Sequence, residues 1–99
     1  MQITLKMIDK LDNLLDEADE YVKCATMHAD DSELKSAYLD LARCHYEGYE
    51  KLSKCCERMV ERKAQGTEHG HSIQEMASWH KDKFDKRAME IKHKLDQAR

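Results

Sequence analysis

The chain has 99 residues, no proline, three glycines and a formal net charge of −3, and charged residues make up 37% of it. This length fits one small domain, residues 1–99, which buries roughly 60 to 65% of its unfolded surface. No apolar run is long enough to cross a membrane, and the first residues carry no basic segment ahead of an apolar block. The composition therefore predicts a cytoplasmic protein that does not act in a membrane.

The first two predicted helices are joined by a short turn. Helix one covers residues 4–29, where apolar residues recur at the spacing of an amphipathic helix. Asp30 and Asp31 suit this turn and the N-cap of the next helix, and Asp30 with Glu33 forms a capping-box pattern, so helix two is predicted to begin at residue 32. A turn this short forces helix two to fold back antiparallel to helix one.

Helix two, predicted over residues 32–65, carries a broad apolar face. The face runs through Leu41, His45 and Leu52, and it is wider than the ~100° stripe of a helix with one neighbour. We therefore expect helix two to be the central helix. His45 is expected to be buried and hydrogen-bonded, and Gly48 is expected either to let another helix approach closely or to leave a small cavity.

Helix three is predicted over residues 72–97, after a glycine-containing loop at residues 66–71. The chain is thus predicted to be an all-α, up-down-up bundle of three long helices. Its expected core consists of large apolar side chains from each helix, namely Leu11, Leu15, Leu41, Leu52, Phe84 and Ile91.

Acidic and basic residues are unevenly distributed. Residues 1–33 hold three Lys and nine Asp or Glu, whereas residues 80–99 hold seven Lys or Arg and four Asp or Glu. We expect these opposite charges to attract each other between helix one and helix three. The lysines of helix three are interleaved with acidic residues, so no basic stripe follows a phosphate backbone and no nucleic acid partner is predicted.

Several side chains are weak candidates for metal ligands, namely Cys24, His28, His45, Cys55, Cys56 and His80. Cys24 and His28 have the four-residue spacing at which one helix offers two ligands to an ion. Two ligands do not make a site. His80 is predicted at about the height of Cys55 and Cys56 and could join them, but these adjacent cysteines diverge by ~100° on a helix and chelate an ion poorly. Packing in the core is the favoured interpretation, and no cofactor is predicted.

The sequence contains no recognisable catalytic constellation. Each cysteine lies within a helix, away from a helix N-terminus or a glycine-rich turn that would activate its thiol. The chain also has no phosphate-binding glycine loop. The sequence therefore predicts a protein that is not an enzyme.

Three short segments carry a resemblance to a known group of proteins. They are residues 17–25 (EADEYVKCA), residues 38–42 (YLDLA) and residues 79–81 (WHK) ahead of Phe84. Together they resemble the short ferritin-like helical proteins carried in prophages of gut bacteria, over most of the chain. The second helix of that family has a Glu-Glu-x-x-His ligand run, and the matching positions here are Cys44, His45 and Gly48. The resemblance thus implies a ferritin-like bundle of phage origin without that ligand set.

Apolar residues outside the predicted core indicate protein binding. Leu39, Tyr46 and Val60 are predicted on the outer edge of helix two, and Trp79 lies about 120° from the apolar stripe of helix three. The first three predict a symmetric homodimer that completes the bundle, while Trp79 either contacts a protein partner or packs on the 66–71 loop.

Two functions are consistent with this sequence. The favoured one is a non-enzymatic interaction module, a phage-encoded accessory protein of the cytoplasm that binds itself and a protein partner. The alternative is a ferritin-like protein that binds a metal through histidine and cysteine ligands.

Overall fold

The computed structural model describes the backbone of residues 5–64 and 70–98 and the side chains of residues 6–59 and 81–98. Three helices occupy these ranges: α1 (Leu5–Met27), α2 (Ser32–Ala64) and α3 (Gly70–Gln97). Each helix contacts both of the others, and the described residues contain no strand. The predicted all-α, up-down-up bundle is confirmed, as an elongated body of 56 × 20 × 17 Å.

The turn between α1 and α2 is fixed by Asp31. Its carboxylate accepts a hydrogen bond from the backbone N–H of Leu34 at 3.1 Å, and its carbonyl accepts one from Lys35 at 2.9 Å. Asp31 is therefore the N-cap of α2, since a cap side chain satisfies one of the unpaired N–H groups of the first turn. Of the two aspartates predicted for the turn and the cap, Asp31 is thus the cap, and the predicted capping box of Asp30 with Glu33 is wrong by one residue.

The core is built from one stripe of each helix. Its buried members are Ile8, Leu11, Leu15, Ala18, Val22, Ala25, Leu39, Ala42, Tyr49, Cys56, Phe84, Ala88, Ile91 and Leu95. Four of the six predicted core residues are in this set. Leu15 and Ile91, exposed by 0% and 2%, are the largest fully buried side chains among the described residues.

The apolar face of α2 is rotated relative to its predicted direction. The buried residues Ala42, Tyr49 and Cys56 recur every seven positions and define the direction of the core. Leu41 was expected in the core but is 41% exposed, and Leu52 is only half-buried. The rotation is roughly 70° at ~100° per residue, so Leu41 turns from the core towards solvent.

The opposite charges of α1 and α3 pair across the interface, as predicted. The guanidinium of Arg87 donates to Asp12 at 2.9 Å and also to Asp16, and the ammonium of Lys94 donates to Asp19 at 3.1 Å. These contacts place one side of α1 directly against α3. No helix in the described ranges combines the length and apolar character that a membrane span requires.

Candidate functional site

One side of the α1–α2 pair is covered by α3, and the other side is open. Asp12, Asp16 and Asp19 mark the side of α1 that contacts α3. About 160° away around the same helix, Leu14 and Tyr21 contact α2 instead. We call the surface between α1 and α2 on the side away from α3 the open face. Its members are Leu14, Tyr21, His28, Tyr38, Leu41, His45 and Gly48.

A row of four aromatic rings forms the floor of the open face. His28 stacks on Tyr38 at a centroid distance of 5.8 Å, and Tyr38 stacks on Tyr21 at 6.2 Å. His45 continues the row, edge-on to Tyr21 at 5.2 Å. These distances lie in the range of favourable aromatic pairs. All four residues are half-buried, so this aromatic ladder both joins α1 to α2 and remains partly exposed to solvent.

His45 is held in place by its own helix. Its Nδ1 lies 3.0 Å from the carbonyl oxygen of Leu41, which can only accept, so Nδ1 carries the proton and donates. The predicted hydrogen bond is confirmed, but His45 is half-buried and not buried. The rotation of α2 explains the difference, because it moves His45 from the core to the groove between α1 and α2.

Gly48 lies in the same groove at the height of Leu14. A β-carbon added to Gly48 would meet Cδ2 of Leu14 at 3.5 Å, which is an ordinary van der Waals distance. The helices therefore lie close at Gly48 without requiring a glycine there. Leu41, about two turns of α2 away from Gly48 on the same side, is one of the exposed large apolar residues of the described chain.

The expected dimer surface on α2 is not exposed as predicted. Leu39 is only 6% exposed and belongs to the core, and Tyr46 is half-buried against it. Burial raises the pKa of the Tyr46 hydroxyl, and the negative charges of Glu50 on α2 and of Asp96 and Asp85 on α3 raise it further. Tyr46 thus faces α3, so the prediction that these two residues form an outer edge is wrong for the same rotational reason.

Two predicted contact residues fall outside the part that the structure describes in side-chain detail. The backbones of Val60 and Trp79 lie in α2 and α3, but their side chains are not among the described ones. Their predicted roles in partner binding remain predictions.

The candidate metal ligands do not assemble in the described part of the chain. No group of three or more His, Cys, Asp and Glu side chains there could hold a metal ion. Cys24 and His28 are half-buried on α1, and the ring of His28 is stacked in the aromatic ladder. His80, proposed beside the adjacent cysteines, lies outside the described side chains.

The four thiols are free and differ in environment. Cys56 is buried in the core, Cys24 is half-buried, and Cys44 and Cys55 are exposed. Burial, with a smaller contribution from Cys55, raises the pKa of the Cys56 thiol. This shift disfavours the thiolate, which is the form that binds metals and reacts as a nucleophile. Cys55 accepts a hydrogen bond from the guanidinium of Arg58 at 3.4 Å.

Comparison of the chain with protein-family models, with curated proteins and with solved structures found no match. The resemblance to ferritin-like prophage proteins therefore stays a prediction.

The sequence analysis did not identify the aromatic ladder of Tyr21 and His28 with Tyr38 and His45. The signal was present, because each pair is separated by seven residues and so lies on one face of its helix. Recognising the ladder required the rotation of α2, which the sequence analysis misjudged.

Proposed function

We propose that this chain is a non-enzymatic protein-interaction module that binds a helix of another chain along the open face. The observation that carries the proposal is Leu41, which is 41% exposed beside half-buried aromatic rings on a surface that α3 leaves uncovered. A surface of aromatic and apolar side chains between two helices suits an amphipathic helix, since such a helix inserts side chains at a spacing of three and four residues.

An uncharged stripe runs along α2 at the edge of the open face. It consists of Leu34, Ala37, Leu41, Cys44 and Gly48, which we call the outer stripe. Three of its members, Ala37, Leu41 and Cys44, are exposed. Their spacing of three and four residues is that of a coiled-coil seam, and small residues allow two helices to approach closely. The stripe supports helix packing at the position that a fourth helix of a bundle would take.

A site-specific photo-crosslinker tests this proposal. The photoreactive amino acid benzoylphenylalanine is introduced at position 41, and a matched variant carries it at Met89, which is 72% exposed on α3. Both variants are irradiated as the purified chain and in an extract of the native host, after circular dichroism has shown that each is folded. We expect a heavier product from position 41 and none from position 89.

Mass spectrometry of the product then identifies the bound chain and the segment that was linked. A linked segment with helical apolar spacing agrees with the proposal. No product at position 41, or equal products at both positions, contradicts it.

A further inference from the structure

The exposed charges of α2 change sign along the helix beside the outer stripe. Asp40 and Glu47 precede the change, and Lys51 and Arg58 follow it. All four side chains are exposed. The change of sign falls at the height of Tyr49, with acidic residues towards the N-terminus of α2 and basic residues towards its C-terminus.

The other edge of the open face changes sign at the same height. On α1, Lys10 comes before Leu14 and Glu17 comes after it, and both charged residues are exposed. Leu14 is the residue that faces Gly48 across the groove. Because α1 and α2 are antiparallel, the basic residues of both helices lie at one end of the open face and the acidic residues lie at the other end.

This charge distribution is complementary to itself. Rotating a copy by a half-turn about an axis perpendicular to the helices brings its acidic end over the basic end of the first copy. We infer that the helix bound by the open face is α2 of a second copy, packed antiparallel so that the outer stripe of each copy lies against the part of the other copy's α2 that follows Tyr49. The inference rests on the proposed function and names the partner at the same site. Paired patches of opposite sign favour this orientation over the parallel one, which would place like charges together.

The charges also give the register of the two helices. In an antiparallel two-fold pair, residues at equal distances on either side of the axis face each other. Asp40 and Arg58 each lie nine positions from Tyr49, and Glu47 and Lys51 each lie two positions from it. An axis at this height pairs Asp40 with the partner's Arg58 and Glu47 with the partner's Lys51.

The ion pair that Asp40 makes within its own helix is compatible with this exchange of partners. Asp40 now pairs with Arg43 of its own helix at 3.3 Å, and the Asp40 side chain is 72% exposed. Exposed pairs of this kind contribute about 0 to 1 kcal/mol, so a second basic residue can join or replace the contact. The same axis brings Cys44 near the partner's Cys55, since they lie five and six positions from Tyr49.

Charge exchange provides a test in which loss and recovery are both measured. Glu47→Lys places two lysines opposite each other twice in the dimer, and Lys51→Glu does the same with two glutamates. We expect each variant alone to dimerise at least about tenfold more weakly than the wild type, because like charges oppose association. Mixing the two variants, or combining both changes in one chain, should restore the dimer.

Sedimentation velocity at tens of micromolar protein measures the association, with circular dichroism as the test of folding. Glu90→Lys, at an exposed position on α3, is the control and should leave the dimer unchanged. A monomeric wild type contradicts the inference. So does a dimer that both single charge reversals leave intact, or a mixture of the variants that stays monomeric.

Mild oxidation with diamide tests the register independently. Diamide accepts two electrons and two protons as two thiols form a disulfide, so an intermolecular bond between Cys44 and the partner's Cys55 should appear in peptide mass spectrometry. Cys44→Ser should abolish this bond, whereas Cys24→Ser should preserve it. Failure of this inference is distinct from failure of the proposed function: a monomeric chain that still crosslinks another protein at position 41 keeps the open face as a binding surface.

Discussion

The hydroxyl of Tyr49 on α2 donates a hydrogen bond to the carboxylate of Asp85 on α3 at 3.0 Å. The ring of the same tyrosine lies edge-on to Phe84 with centroids 6.5 Å apart. Tyr49 therefore joins the polar edge of the α2–α3 interface to its apolar centre. Burial, together with the hydrogen bond to Asp85, raises the pKa of Tyr49 above its ordinary value of 10.0.

Replacing Tyr49 with Phe separates these two contributions. Tyr49→Phe keeps the ring and removes the hydrogen bond, so we expect a loss of about 0.5 to 1.5 kcal/mol in the free energy of unfolding. Chemical denaturation followed by circular dichroism at neutral pH measures this loss. Tyr49→Ala, which also removes the buried ring, should cost clearly more.

The raised pKa of Tyr49 predicts how stability responds to alkali. The unfolded chain releases this proton at a lower pH than the folded chain, so ionisation favours unfolding. The contribution of the protonated Tyr49 to the free energy of unfolding is complete below pH about 10 and is lost as pH rises through the folded-state pKa. We expect the wild type to lose stability above pH about 10, and Tyr49→Phe to lose less of it, with the raised pKa of Tyr46 accounting for part of the remainder. Equal alkaline slopes for both proteins would contradict this assignment.

Substitutions of two leucines of α2 distinguish the observed orientation of that helix from the predicted one. Leu39→Ala removes a buried side chain and should cost ~2 to 5 kcal/mol, whereas Leu41→Ala removes an exposed one and should cost less than about 1 kcal/mol. Thermal or chemical denaturation of dilute protein, where self-association is weak, gives both values. The predicted orientation of α2 requires the reverse order, so the ranking decides between the two.

These leucines also show what the sequence could establish. The stripes of α1 and α3 were predicted correctly at Leu15 and Ile91 because each has one continuous apolar arc. On α2 the buried residues Ala42, Tyr49 and Cys56 and the outer stripe merge into one broad face, and periodicity alone does not tell which half is buried. The partners decide that choice: α3 packs over Tyr49, which leaves Leu41 outside.

The candidate site was less accessible to sequence reasoning than the fold. Residue spacing places Tyr21 and His28 on one face of α1, but a site between two helices depends on the rotation of both. The ion pairs between α1 and α3 could be predicted more readily than this site, because they follow from composition and topology and do not depend on the exact rotation of a helix. Arg87 pairs with Asp12 and Asp16 in the expected direction.

The ion pairs of Arg87 predict how the free energy of unfolding depends on salt concentration. These ion pairs are partly exposed, with 31% of the Arg87 side chain and 57% of that of Asp16 accessible, so solvent screens them. Arg87→Met should lower the free energy of unfolding by about 1 kcal/mol or less at low salt. The difference from the wild type should shrink in high salt. Lys86→Met, at an exposed neighbouring position, serves as the control and should show a smaller effect at low salt.

Gly48 provides a prediction in the stabilising direction. The residue sits inside α2, where glycine is less favourable than alanine by about 0.5 to 1 kcal/mol because its unfolded backbone is more mobile. The added methyl group would lie 3.5 Å from Cδ2 of Leu14, a distance that requires no movement of the neighbouring helix. Gly48→Ala should therefore raise the stability of the folded chain by about that amount, measured by chemical denaturation in dilute protein. Gly48→Leu is the matched contrast, because a large side chain at this position must displace Leu14 or turn into solvent. A destabilised Gly48→Ala variant would show that α1 and α2 lie closer together at this point than the Leu14 contact indicates.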